Sequence, residues 1–214
     1  MTQTFGDRIT PYLTIWTEPR ATIRRIVETS PERNVIVLAA LAPVLAVLER
    51  EWMRAVQGHV PQWWTIEVLF EVIFAGLFGI GFLYIGAMLI SWVARMLGGV
   101  GTALETRAAI AWARIPAITA SAAVIVALLA GAMTPPEIGI NGLPKLTPPA
   151  FELGGVHFVL GLWGFVVGLK CIGEVHRLSA WRALLAELIV LVAVVLVAAG
   201  LFGLMMSFSP GAHH

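Results

Sequence analysis

The chain has a single cysteine, Cys171, among 214 residues, which excludes an internal disulfide and a cysteine-based zinc site. Charge is scarce as well, at 13% of residues with a formal net charge of +1. So even a balance offers no basic field for nucleic acid. Catalytic signatures are missing too: there is no GxSxG elbow, no GxxxxGK[ST] loop and no HExxH pair, so no enzyme, cofactor or metal is expected. Gly98-Gly99-Val100-Gly101 joins two apolar stretches instead of a strand and a helix, which removes it as a nucleotide fingerprint.

What the chain has in abundance is apolar surface, with 58% hydrophobic residues and a mean hydropathy of +0.86. Five stretches carry it: Asn34–Leu48, Ile66–Ala94, Ala108–Met133, Leu153–Ile172 and Ala183–Phe208. Most approach or exceed the ~20 residues a helix needs to cross the hydrocarbon. They predict an all-α fold, a polytopic transmembrane helical bundle of five spans. The first stretch is short, holds Pro43 and stops at Glu49, so it tilts, reaches the surface through Trp52 or crosses only in part. Pro43 and Pro116 are compatible with helices inside a bundle, where neighbours satisfy the freed carbonyls. The expected plan is a cytoplasmic amino-terminal segment over residues 1–33, a membrane domain over 34–208 and a tail over 209–214. His213 and His214 are set aside as a tag remnant. Arginines, Asp7, Glu18 and Pro19 make the first 33 residues unlike a secretory signal peptide.

Basic residues set the expected orientation. With the amino terminus in the cytoplasm, that side receives Arg8, Arg20, Arg24, Arg25, Arg33, Arg95, Arg107, Arg114, Lys170, Arg177 and Arg182. The other side receives Arg50, Arg54 and Lys145, so all but three of the 14 basic residues lie inside. That bias predicts a multi-pass protein of the inner (cytoplasmic) membrane with its carboxyl terminus outside. Glu49, Glu51, Glu67, Glu71, Glu137 and Glu152 collect on the outer side, with Trp52, Trp63 and Trp64 as interfacial anchors. The Pro- and Gly-rich segment from Thr134 to Pro149 reads as an irregular loop.

Pro19 suits the first turn of a helix. After it, Ile23, Ile26 and Val27 fall opposite Arg20, Arg24 and Arg25, predicting a short amphipathic helix lying in the cytoplasmic headgroups. Those three arginines are the candidate contacts to anionic lipid; the plainer reading is a positive-inside anchor without a partner. In the fourth span, His157, Gly161, Gly164 and Gly168 share a face, as do Ala109, Ala113, Ala117 and Ser121 in the third. Such small-residue seams let helices approach within one chain or between copies in a homo-oligomer.

Two polar groups are expected at membrane depth. The inner one joins Arg95, Arg107, Arg114, Lys170, Glu174, His176 and Glu187, with Arg114 paired to Glu174 or Glu187, because ionisable groups in spans usually face the bundle and pair. Its plainer role is to tie helices together. The outer one joins Glu67, Glu71, Glu152 and His157. Two carboxylates and an imidazole can hold a metal or relay protons, but Glu and His at span ends are common and the pattern is loose.

Several features then coincide in order. Trp16-x-x-Pro19-Arg20-x-Thr22-Ile23-Arg24 precedes the first stretch, and Leu97-Gly98-Gly99-Val100-Gly101 precedes Arg107-Ala108-Ala109-Ile110-Ala111-Trp112-Ala113-Arg114-Ile115-Pro116. Trp163 leads to Gly173-Glu174-Val175-His176-Arg177-Leu178-Ser179. Over nearly its whole length the chain resembles a bacterial member of the Yip domain family, the Ypt/Rab-interacting proteins. The resemblance implies a cytoplasmic amino-terminal region and a five-helix membrane domain. It marks Gly98, Gly99, Arg107, Pro116, Glu174 and His176 as the positions that matter. Eukaryotic relatives associate with prenylated small GTPases; the short amino-terminal segment departs from theirs, and that partner is not carried over. The expected function is a non-enzymatic membrane organiser or scaffold, acting through its cytoplasmic face on lipid headgroups or a protein partner. The alternative is a small transporter or channel for an ion, proton or small solute through the intramembrane Glu, His and Arg groups.

Overall fold

A computed structural model describes residues 5–56, 64–130 and 148–207. Trp63, Glu137, Lys145 and most of the expected loop from Thr134 lie outside the described residues. Among those described the fold is all helical. Its elements are α1 (Phe5–Thr14), α2 (Pro19–Thr29), α3 (Val35–Val56), α4 (Trp64–Met96), α5 (Ala103–Ala113), α6 (Ile115–Leu129), α7 (Pro148–Val175) and α8 (Ala180–Ser207).

Four segments are long and apolar enough to cross a membrane: Thr65–Met96, Ala103–Ala127, Gly154–Val175 and Ala180–Met205. None of the most apolar window of the last is buried in the protein. Phe70, Phe74 and Phe78 likewise form an open row on α4. A water-soluble chain does not leave such continuous apolar faces open, so their solvent is lipid. The protein is an integral membrane protein.

The second of these segments, the third expected span, starts at Ala103, ahead of the expected Ala108, because Thr102 and Glu105 form a capping box that starts α5 in the first polar residues after the glycines. It breaks at Arg114, where α5 ends and α6 begins, since Pro116 has no N–H to continue the ladder. The first expected span differs more. Its helix does not stop at Glu49 but continues as α3 to Val56. The added turns are held by charge pairs: Glu51, only 3% exposed, accepts from Arg50 and Arg54 at 3.0 Å each.

The bundle is organised around α5 and α7. α3 packs on α4, α5 and α6; α7 packs on α2, α5, α6 and α8; α8 also touches α4. The small-residue seams are partly used inside the chain. A side chain at Gly164 would meet the Ala113 carbonyl at 3.5 Å and Pro116 at 3.6 Å, and one at Gly168 would meet Ala113 at 3.6 Å. A side chain at Gly161 would meet nothing within 4 Å. Ala109, Ala113 and Ser121 are buried, while the break at Arg114 turns Ala117 outward.

The amino-terminal segment departs most from expectation. The apolar face of α2 is spent on the protein and not on headgroups: Ile23 is 0% and Ile26 2% exposed, in one core with Ile15, Trp112 and Cys171. Burying each large aliphatic chain contributes roughly 1.5–3 kcal/mol, which favours docking on the bundle over lying free at the surface. Tyr12 stacks obliquely on Trp112 with ring centroids 4.8 Å apart, and the Trp112 indole donates to the Arg33 carbonyl at 3.2 Å.

Candidate functional site at the basic end of the bundle

α2, the turn after α4 and the turn after α7 meet at one end, where His176 joins the two turns and Arg24 ties α2 to the end of α7. α7 ends in a reversal closed by the Leu178 N–H on the Gly173 carbonyl at 2.7 Å, with Arg177 at φ 54°. A residue in that left-handed conformation lets a helix end satisfy its last carbonyls. The reversal turns His176 inward, where it is fully buried. Its Nδ1 accepts from the Gly101 N–H at 3.2 Å. Its Nε2 lies 2.9 Å from Thr106 Oγ1, whose own hydroxyl donates to the Thr102 carbonyl at 2.7 Å. The hydroxyl proton is thus committed, so Nε2 carries the imidazole proton and the ring is neutral. Burial pulls the His176 pKa down, Glu105 opposes this and Arg95 adds to it, for a net lowering.

The glycines of the α4–α5 turn are required by backbone conformation at Gly98 and by closeness to this ring at Gly99 and Gly101. Gly98 has φ +92°, which favours glycine directly. A side chain at Gly99 would stand 3.0 Å from His176 and 2.8 Å from the Ala94 carbonyl. One at Gly101 would stand 2.9 Å from His176 Nδ1 and 2.8 Å from Val175. Gly98, Gly99 and His176, singled out by the resemblance, therefore form one knot that locks two interhelical turns together, and the Val100 N–H adds a bond to the His176 carbonyl at 3.2 Å. Gly101 and Thr106 belong to the knot and were not singled out. The capping-box spacing Thr102-x-x-Glu105 was the legible sign that α5 began there.

Beside the knot, Arg24 of α2 reaches Glu174 of α7, its Nε donating to Oε1 at 2.7 Å. A recess of about 340 Å3 opens here, lined by Arg24, Glu28, Glu105, Glu174, Arg177 and the apolar Val100. Arg20 and Arg25 stand exposed on the same helix as Arg24.

The remaining inner residues are spread around this end and do not converge. Arg95 donates to the Ser91 carbonyl at 3.3 Å. Lys170 stands 5.9 Å from the Trp163 ring centroid, and the Arg107 guanidinium 4.4 Å from that of Tyr84. Glu187 is half-buried on α8 with no ion pair among the described residues. Arg114 pairs with neither Glu174 nor Glu187. Its Nη1 donates to the Ala39 carbonyl at 3.0 Å. Ala39 is four residues before Pro43, so its carbonyl is the one that the proline leaves without an N–H donor. An arginine from the neighbouring helix supplies it.

The outer residues are dispersed too. His157 lies 3.7 Å from Glu49 and 3.5 Å from Ser121, while Glu71 accepts from Arg50 at 2.5 Å. Glu67 is exposed, and the side chain of Glu152 is outside the described residues. Among the described residues no three His, Cys, Asp or Glu side chains gather as a metal would need.

No curated protein and no solved structure matches the chain significantly. A family model described as the Yip1 domain matches residues 13–202, from the docked amino-terminal helices to near the end of α8. With that match covering most of its length, and the resembling segments gathered into one knot, the chain belongs to the Yip1 domain family.

Proposed function

We infer that the chain is a five-span, non-enzymatic scaffold of the inner membrane, whose cytoplasmic end, built on the His176 knot, docks a protein partner. α3 supplies the fifth span. Its 22 residues extend about 33 Å at 1.5 Å per residue, and its charged last turns sit at the outer interface with their charges paired. The one-sided distribution of basic residues supports a cytoplasmic knot and an outer carboxyl terminus.

The observation that carries this reading is the mixed-charge recess beside the knot. A catalytic pocket needs a reactive group poised on a substrate; here His176 is engaged at both ring nitrogens and Glu174 by Arg24. An anionic lipid surface suits uniformly positive charge, whereas Glu28 and Glu105 alternate with Arg24 and Arg177. Mixed charge around the exposed Val100 matches a polypeptide carrying both signs. Arg20 and Arg25, exposed on the same helix as Arg24, are left to draw anionic lipid around the partner.

Site-specific photocrosslinking in intact cells tests the reading, with a benzophenone side chain at Val100 and, as a control, at the lipid-facing Phe74. The expected result is a discrete heavier species from Val100 alone, lost on Glu28→Arg with Arg177→Glu. Crosslinks to lipid only, or a species insensitive to the charge reversal, would overturn it.

A further inference from the structure

One residue beyond Thr106 on α5, Arg107 has no carboxylate within ion-pair distance among the described residues. Among the described residues it makes no hydrogen bond or ion pair, and its Nε is buried without a partner. It lies over the Tyr84 ring, with the guanidinium carbon 4.4 Å from the centroid. A cation held over an aromatic face keeps its planar fork fixed, ready for a bidentate acceptor. The same side chain lines a recess of about 160 Å3 together with Glu32, Val35, Ile36, Tyr84 and Leu104. Glu32 and Arg107 thus face one cavity without pairing. The first turn of α3, at Val35 and Ile36, adds the positive end of a helix. Beyond the polar rim the walls are apolar and open to lipid: Ile36 is 53% exposed, and the adjacent Val37 60%.

We propose that this recess binds the headgroup of a zwitterionic phospholipid, phosphatidylethanolamine. The phosphate lies on the Arg107 fork and the α3 amino terminus, the ammonium lies against Glu32, and the acyl chains run down over Ile36 and Val37. Size agrees, since the recess is several times the ~30 Å3 of a water and well under the ~300 Å3 where drug-sized sites begin. Charge separates the candidates. A headgroup with phosphate alone would leave Glu32 repelling it, whereas phosphate and ammonium together answer both side chains. A free phosphate ion shares the Arg107 contact and uses neither Glu32 nor the apolar wall.

Native mass spectrometry of the full chain in detergent is the test, titrating phosphatidylethanolamine, phosphatidylglycerol and inorganic phosphate. The expected pattern is a single retained phosphatidylethanolamine, bound more tightly than phosphatidylglycerol. Arg107→Gln should weaken it by about tenfold or more, as loss of a charge-assisted bidentate contact does, with Arg107→Lys between. Glu32 is exposed, so Glu32→Gln leaves folding intact and should abolish the preference for the ethanolamine lipid. Equal binding of both lipids to the unaltered protein, an unchanged preference in Glu32→Gln, or saturation by inorganic phosphate that displaces the lipid would each overturn the proposal.

Discussion

Arg114 and Pro43 should be energetically coupled although neither side chain touches the other's functional group. Pro43 has no N–H, so the Ala39 carbonyl is free, and the Arg114 guanidinium donates to it at 3.0 Å. A hydrogen bond to a charged group contributes about 1.5–3 kcal/mol, and an orphaned buried acceptor costs about 1–3 kcal/mol. The Arg114→Met change alone is not diagnostic, because removing an arginine at membrane depth also relieves about 2.5–3.5 kcal/mol of insertion cost. The double-mutant cycle cancels that term. In Pro43→Ala, the new N–H at position 43 closes the helix bond to Ala39, so Arg114→Met then orphans nothing. The expected coupling is about 1–2 kcal/mol, with the arginine mattering more when the proline is present. Reversible unfolding in mixed micelles measures all four variants. Additivity within about 0.5 kcal/mol would refute the account of the pair.

Because the His176 pKa is lowered in the fold, the neutral ring's contribution to stability is fully present above the ordinary value of 6.5 and is lost as pH falls through the lowered one; thermal unfolding from pH 7.5 to 5 should show this loss, and His176→Asn should flatten it. Glycine substitutions should separate by position. Gly101→Ala places a side chain 2.9 Å from His176 Nδ1 and should cost about 1–3 kcal/mol as overpacking, whereas Gly161→Ala, with open space around it, should gain up to about 1 kcal/mol of helix propensity; an equal effect at both sites would contradict the packing. Cys171 is fully buried and should stay silent to a membrane-impermeant maleimide, so Glu28→Cys should label only after lysis and Ser207→Cys in intact cells, with the reverse pattern inverting the topology.

Length and hydropathy made four membrane-crossing segments legible, since a run of apolar side chains has no other stable solvent than lipid. The end of α3 was not legible in that way. Its helix passes through Glu49, Arg50 and Glu51, which hydropathy reads as a stop. Arg50 and Arg54 pair with Glu51 and Arg50 also reaches Glu71 of α4, so the charges are accommodated within the helix and across to its neighbour. Spacing grouped Ile23, Ile26 and Val27 on one side of α2, and the structure buries Ile23 and Ile26 fully and Val27 in part, but periodicity says which residues share a face and not what covers it. The covering surface came from α5 and α7.

The expected inner cluster fails for a related reason. Depth along a helix can be counted from sequence, while rotation about its axis and tilt against its neighbours cannot, and both decide whether two side chains at one depth meet. Arg114 and Glu187 share a depth and not a contact; Arg24 and Glu174, 150 positions apart, share a hydrogen bond. By itself the sequence determined the helical class, the membrane as solvent and the turns where glycine and proline act. Only the tertiary structure decided that those turns close on His176, that Arg114 serves a proline-freed carbonyl and that Arg107 is left facing Glu32 across an open recess. Local pattern dictates what each segment prefers, but partnerships between polar groups depend on angstrom-scale distances set by the packing of every helix at once.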